Sequence, residues 1–280
     1  MNYRHAYHAG NFADVVKHAV LALVIEHLCR KEAGFLYLDT HGGVGVYDLA
    51  SEQAGKTGEW RAGIGRVLAA PEPPLALTPY LDAVRAMNAG LPEPRRYPGS
   101  PWLARVLSRP RDRLALCELH PEDNAALKRL FKGEKRVGVH HMDGYEALKA
   151  MLPPPERRGV VLIDPPFEVK DELLRLRKGL AQALKRWPTG LYAIWYPIKD
   201  RAPIDRFHAD LTMLAPPPTL VAELRVRAGD DPFKLNGCGL VLVNPPWKLD
   251  EALADLLPWL AGTLAPGAGS HRLEWLVTEK

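Results

Sequence analysis

Val160-Val161-Leu162-Ile163-Asp164-Pro165-Pro166-Phe167-Glu168 opens as four consecutive apolar, mostly β-branched residues and closes on an acid, two prolines and an aromatic ring. The apolar run reads as a strand buried on both faces, as in a parallel sheet. Proline fixes its own φ and drives the preceding residue into extended conformations. Asp164 and Pro165 are therefore expected to be held stiffly at the carboxyl edge of a sheet, where open α/β folds bind ligands. A carboxylate, a fixed carbonyl and the ring of Phe167 suit a flat base with an exocyclic amine. The two acceptors take the amine's two N–H groups and the ring stacks on the base.

Upstream, Phe35-Leu36-Tyr37-Leu38-Asp39 is a second buried-strand pattern, and it runs into Thr40-His41-Gly42-Gly43-Val44-Gly45. Glycines after a strand let backbone approach a ligand with no Cβ in the way. The spacing is not the G-x-G-x-x-G that feeds a phosphate onto a helix. It is closer to the acid-x-x-x-Gly-x-Gly turn of S-adenosylmethionine enzymes, which argues against a dinucleotide dehydrogenase. Arg113 to Glu118 and Val137 to Asp143 give two more strands that lead to acids. Asp39, Glu118, Asp143 and Asp164, with helices between them, are expected to point into one crevice.

In Rossmann-like folds an acid after the second strand binds the ribose hydroxyls, usually about 20 residues beyond the glycine turn. Glu118 comes much later, and residues 48–97 account for the difference. They carry glycines, the proline cluster Pro71 to Pro74, a helical stretch Thr78 to Ala89 and a second proline-rich seam. The expected division is a Rossmann-like domain at 1–47 and 98–280, with a small helical subdomain inserted at 48–97. Helical spacing also predicts Ala13–Lys31, Asp171–Trp187, Asp205–Leu214 and 250–265. Residues 220–226 and 239–243 should pair as a hairpin, with Arg272–Thr278 as an edge strand.

With 280 residues, 47% of them hydrophobic, the chain can bury a core without staples. No apolar run approaches the roughly 20 residues of a membrane span, and the polar N-terminus is unlike a signal peptide; a cytoplasmic protein is expected. Cys29, Cys117 and Cys238 are too scattered for zinc or redox motifs, and no metal is expected. A net charge of +4 says little by itself. Its clusters, at Arg95-Arg96, Arg105 to Arg113, Lys128 to Arg136, Arg157-Arg158 and Arg175 to Lys178, could neutralise phosphates.

The opening Tyr3-Arg-His-x-Tyr-His-Ala-Gly-Asn11 with Ala13-Asp-Val-Val-Lys-His18 resembles the N-terminus of the RlmJ-type 23S ribosomal RNA adenine-N(6)-methyltransferases. Leu38 to His41, Tyr97 to Pro101, Glu118, Met142 to Gly144 and Asp164 to Glu168 resemble the same family. The resemblance implies an S-adenosylmethionine-dependent enzyme that methylates the exocyclic amine of one adenine, flipped out of 23S ribosomal RNA. It implies cofactor contacts from His18, His41, Ser100, Glu118, Asp143, Gly144 and Asp164. Asp164, with Pro165 and Phe167, would be catalytic; Tyr3, His5 and Lys17 would sit near the target adenosine, with Lys17 and arginines of the insertion taking phosphates. Phe167 stands where the family commonly has tyrosine, which keeps the stack and loses a hydroxyl. A monomer is expected. Three rivals remain: Asn244-Pro-Pro-Trp247 as the catalytic motif, duplex DNA as the substrate, and a non-catalytic ribosome-assembly factor.

Overall fold

Runs of β-branched and aromatic residues gain most when both faces of an extended chain are covered, and the predicted runs form strands. In the computed structural model, which describes residues 4–278, β1 is Leu36–Asp39, β2 Val46–Asp48, β3 Arg96–Pro98, β4 Arg113–Cys117 and β5 Val137–His140. Next come β6 Gly159–Ile163, β7 Leu191–Ile198, β8 Thr219–Arg225, β9 Gly237–Val243 and β10 Ser270–Val277. The helices are α1 Phe12–Cys29, α2 Glu52–Thr57, α3 Arg66–Ala69, α4 Thr78–Met87 and α5 Ser100–Leu107. They continue with α6 Pro121–Leu130, α7 Gly144–Ala150, α8 Glu172–Arg186, α9 Arg201–Thr212 and α10 Leu249–Leu264.

One sheet takes the order β10-β8-β9-β7-β6-β1-β4-β5. β1 is parallel to β4 on one side and to β6 on the other. The chain therefore winds outward in both directions from β1, as in a Rossmann-like methyltransferase sheet. The crevice at that reversal, beyond the carboxyl ends, is the ligand position of such folds. The predicted hairpin is present, with β9 antiparallel to both β7 and β8. β10 closes the edge against β8.

α1 is apolar on nearly every side, and such a helix belongs inside a protein. It lies buried against α4, α5 and α10 on one face of the sheet. Asn11 caps it, its side chain accepting from the backbone of Ala13 and Asp14. Each fully buried Val, Leu or Ile along it contributes about 1.5–3 kcal/mol. Residues 48–97 leave and return through the β2–β3 pair. Their Trp60, Ile64, Tyr80 and Val84 share one continuous apolar cluster with α1 and α10. Among the described residues no helix is long and apolar enough to cross a membrane.

Candidate active site

A cleft of about 810 Å³ opens over the carboxyl edge of the sheet. It is lined by His5, Lys17, His18, His41, Ser100, Glu118, Asp143, Gly144, Asp164, Pro165 and Phe167. Those are the sequence-predicted site residues apart from Tyr3, which lies outside the described residues.

Asp164 follows β6 directly and keeps its predicted place at the strand tip. The Nζ of Lys17 reaches its Oδ2 at 2.6 Å. The same ammonium meets Asp14 at 2.9 Å, and Asp14 is in turn held by the His5 ring at 2.8 Å and by the backbone N–H of Gly10 at 2.9 Å. Burial would push the Asp14 carboxyl up, but the His5 ring and Lys17 outweigh it and hold that carboxyl well below the usual carboxylate range. Burial would likewise lower Lys17, and the carboxylates of Asp14 and Asp164 keep it well above an ordinary lysine. A buried ammonium between two carboxylates is not a phosphate contact, which corrects that part of the sequence reading. Lys17 instead fixes the carboxylate at the strand tip.

Phe167 is held at φ +54°, a left-handed conformation that costs a non-glycine residue about 1–3 kcal/mol. Its ring meets Trp195 edge-on, with centroids 5.8 Å apart, and Lys17 Nζ lies 5.9 Å from the Trp195 ring centre. Trp195 also lines the cleft. Sequence reading missed it because it sits inside an apolar strand, β7, where an indole reads as core.

The glycine turn is fastened to the second acid. Gly43 is at φ +58°, and a Cβ there would stand 2.4 Å from the Tyr47 hydroxyl. Glu118 accepts from the Gly43 N–H at 2.8 Å and from the His120 N–H at 2.7 Å; burial nevertheless raises its carboxyl. Asp143 caps α7 by accepting from the N–H groups of Tyr145 and Glu146. Gly144 lets α7 come so close to β1's end that a Cβ would stand 2.4 Å from the Thr40 carbonyl oxygen. His41 and His18 are both neutral imidazoles at pH 7, burial pushing them down to about 4 and about 3. His18 Nδ1 is 2.8 Å from the Tyr97 hydroxyl, which lies 2.9 Å from that of Tyr80.

Of the four strand-tip acids, Asp39 does not face the cleft. It is fully buried beneath it, accepting from Ser100 Oγ and Tyr37 Oη, each at 2.7 Å, and from the His41 N–H at 3.2 Å. Burial pushes its carboxyl up to about 6, against the pull of those donors. A raised folded pKa means that folding favours the protonated acid. Its contribution to stability is greatest below the unfolded value near 4 and falls until pH is about 6. The difference is on the order of 3 kcal/mol. Urea midpoints of Asp39→Asn are expected to lose this fall between pH 4 and 6 relative to the parent protein; parallel pH curves would contradict it.

Asn244-Pro-Pro-Trp247 is at the other end of the sheet. Because β9 runs antiparallel to β7, Val243 pairs with Tyr192 near the start of β7. Asn244 donates to the carbonyls of Pro188 and Gly190 and does not line the cleft. One arginine in each of two basic clusters is likewise structural. Arg109 donates to the carbonyls of Cys29, Lys31 and Ala33, and Arg158 to those of Leu28 and Ala33. Both serve the amino edge, remote from the cleft. Arg175 is the cluster residue that lines it, its guanidinium 4.6 Å from the Tyr145 ring centre.

The family model described as "Ribosomal RNA large subunit methyltransferase D, RlmJ" matches residues 32–277. The ribosomal RNA large subunit methyltransferases J of Escherichia coli K12 and of Haemophilus influenzae Rd are each 44% identical to this chain, over 100% of it and 100% of their own length. A crystal structure of a Legionella pneumophila protein superposes with a TM-score of 0.89 at 35% identity, covering 95% of this chain and 98% of that one.

Proposed function

Since the chain belongs to the RlmJ family of ribosomal RNA large subunit methyltransferases, we propose that its cleft transfers a methyl group from S-adenosylmethionine to the exocyclic N6 amine of one adenine in 23S ribosomal RNA. The observation that carries this reading is the Asp164–Pro165–Phe167 corner at the switch point, with Lys17 clamping the carboxylate at 2.6 Å.

The residues present fit the cofactor. Gly43 offers backbone with no Cβ, and the acids around it suit a ligand that carries a sulfonium and an ammonium. His18 Nε2 is buried with no partner among the described residues, a polar atom such a ligand can meet. Glu118 would hold the ribose hydroxyls; His18, His41, Ser100, Asp143, Gly144 and Asp164 would complete the cofactor's surroundings. When bound, S-adenosylmethionine supplies an electrophilic methyl group on sulfur.

The chain's own residues do the rest. An adenine amine is a poor nucleophile because its lone pair is delocalised into the ring. Asp164 and the Pro165 carbonyl would accept its two N–H groups and favour a pyramidal nitrogen whose lone pair faces the methyl. Most of the gain is then orientation and fixed dipoles. Clamped by Lys17, Asp164 would serve as an acceptor, and it would take the proton only after alkylation has made the nitrogen cationic. Phe167 would stack on the flipped base in place of its lost neighbours. His5, anchored through Asp14, would stand beside the target nucleoside, and Tyr3 is proposed with it. Ribosomal RNA as substrate gives the chain its cytoplasmic place.

Labelled methyl transfer to protein-free ribosomal RNA and to duplex DNA in parallel, followed by mass mapping of the RNA product, tests the reading. Incorporation into DNA alone would replace the substrate; none into either would remove the enzyme. Asn244→Ala is expected to leave the turnover of folded protein unchanged, because its amide faces Pro188 and Gly190. Lost activity in a folded Asn244→Ala protein would bring the second motif back.

A further inference from the structure

The loop between β8 and β9 carries an apolar ring out into solvent at the rim of the cleft. Phe233 lines the cavity that holds Asp164, yet 93% of its surface is exposed. The loop around it is tied down on both sides. Asp230 accepts from the backbone N–H of Arg201 at 3.1 Å and from Arg225 Nη2 at 2.6 Å. Asp231 accepts from the Phe233 N–H at 3.0 Å. Asn236, fully buried, donates its amide to the carbonyls of Lys199 and Asp231 at 2.8 and 2.9 Å, and its backbone N–H to that of Ile198 at 3.0 Å.

Such fastening would be expected to bury a phenyl ring, and here it presents one. A large apolar side chain in solvent adds nothing to the core, whereas a loop fastened beforehand loses little backbone freedom when a partner lands on it. Charges of both signs surround it: Lys199 shares the cleft rim, exposed Arg227 lies on the same loop, and Lys234 there is paired with Asp231 at 3.3 Å. Aromatic rings beside cations are how proteins grip unpaired nucleotides, because every base has a face to stack and every linkage a phosphate to neutralise.

We propose that Phe233 is a stacking finger for RNA, taking the face of a nucleobase adjacent to the flipped adenine while Lys199 and Arg227 meet the flanking phosphates. The proposal rests on the reading of the cleft as an RNA adenine methyltransferase. RNA is favoured over a protein partner because the ring is continuous with the cleft, and Lys199 on the rim and Arg227 on the loop are exposed cations. An extruded base also leaves its former neighbours half unstacked, and a ring at the mouth of the pocket can cover one of them.

The test uses a ribosomal RNA fragment carrying the methylated adenine, with 2-aminopurine at the neighbouring position, and the full-length protein. Phe233→Ala is expected to raise KM for RNA about tenfold, the loss of one base–ring stack. Its kcat and its calorimetric affinity for S-adenosylmethionine should be unchanged. Binding by the parent protein should quench the 2-aminopurine; Phe233→Ala should not, and Phe233→Tyr should restore both quenching and KM. Unchanged KM and quenching in Phe233→Ala would overturn the finger. So would a KM defect that Tyr fails to rescue, or a sedimentation shift from dimer to monomer with KM unchanged, which would make the ring a protein contact. If the parent protein transfers no methyl to RNA, the reading of the cleft falls and the finger falls with it. If the parent protein is active and Phe233→Ala equals it, only the finger falls.

Discussion

Asp164→Ala is expected to lower methyl transfer to RNA by at least about 10³-fold, since one carboxylate is asked both to aim the amine and to receive its proton. The fold should survive the change. Lys17 loses its contact at 2.6 Å but keeps Asp14 at 2.9 Å, so no buried charge is stranded, the situation that makes broken ion pairs costly. Cofactor binding should weaken and remain measurable by calorimetry. Asp164→Asn keeps one acceptor oxygen and cannot take the proton, so it should fall between the two. Near-parental turnover by a folded Asp164→Ala protein would remove the mechanism.

The second large effect is expected at Lys17. Lys17→Met removes the cation shared by Asp14 and Asp164, leaving Asp14 buried with, among the described residues, the His5 ring and the Gly10 N–H. Breaking a buried pair this way costs about 3–5 kcal/mol. Asp14 now ionises against burial with less help, so its carboxyl rises. In the parent protein its depressed pKa adds stability above the unfolded value near 4, and that stability is lost only as pH falls through the lower folded value. In Lys17→Met the loss should begin at higher pH. Activity should drop about 10²-fold, because Asp164 is no longer held and a displacement of about 1 Å can cost that much. Adding Asp14→Asn should return stability without returning turnover. If the double variant regains activity, Lys17 does not position Asp164.

The parallel strands were legible because their evidence is local: Val160 to Ile163 and Phe35 to Leu38 are buried on both faces and contain little else. The corner after β6 was legible for the same reason, since proline restricts its immediate neighbours. What sequence reading missed depends on contacts between distant positions. Asp39 is the same residue type as Asp164 and ends a similar strand, but Ser100 and Tyr37 hold it under the floor. Lys17 and Asp164 are 147 positions apart, so a lysine on a helix read as a phosphate contact. The one available clue was a charged Asp14–Lys17 pair on a helix apolar all round. Arg109 and Arg158 read as a basic surface because nothing local tells that backbone carbonyls consume their donors. The two Pro-Pro-aromatic motifs differ chiefly in strand direction, and one antiparallel strand puts them at opposite ends of the sheet.

The row of rings from His18 through Tyr97 to Tyr80 crosses from the floor of the cleft into residues 48–97. Because those side chains are packed in the same interior as α1, the segment is keyed into the enzyme like the stone of an arch. A hydroxyl or a ring lost from this row is expected to loosen the helix that carries Lys17. The fold of residues 48–97 and the placing of the cleft lysine are thereby coupled.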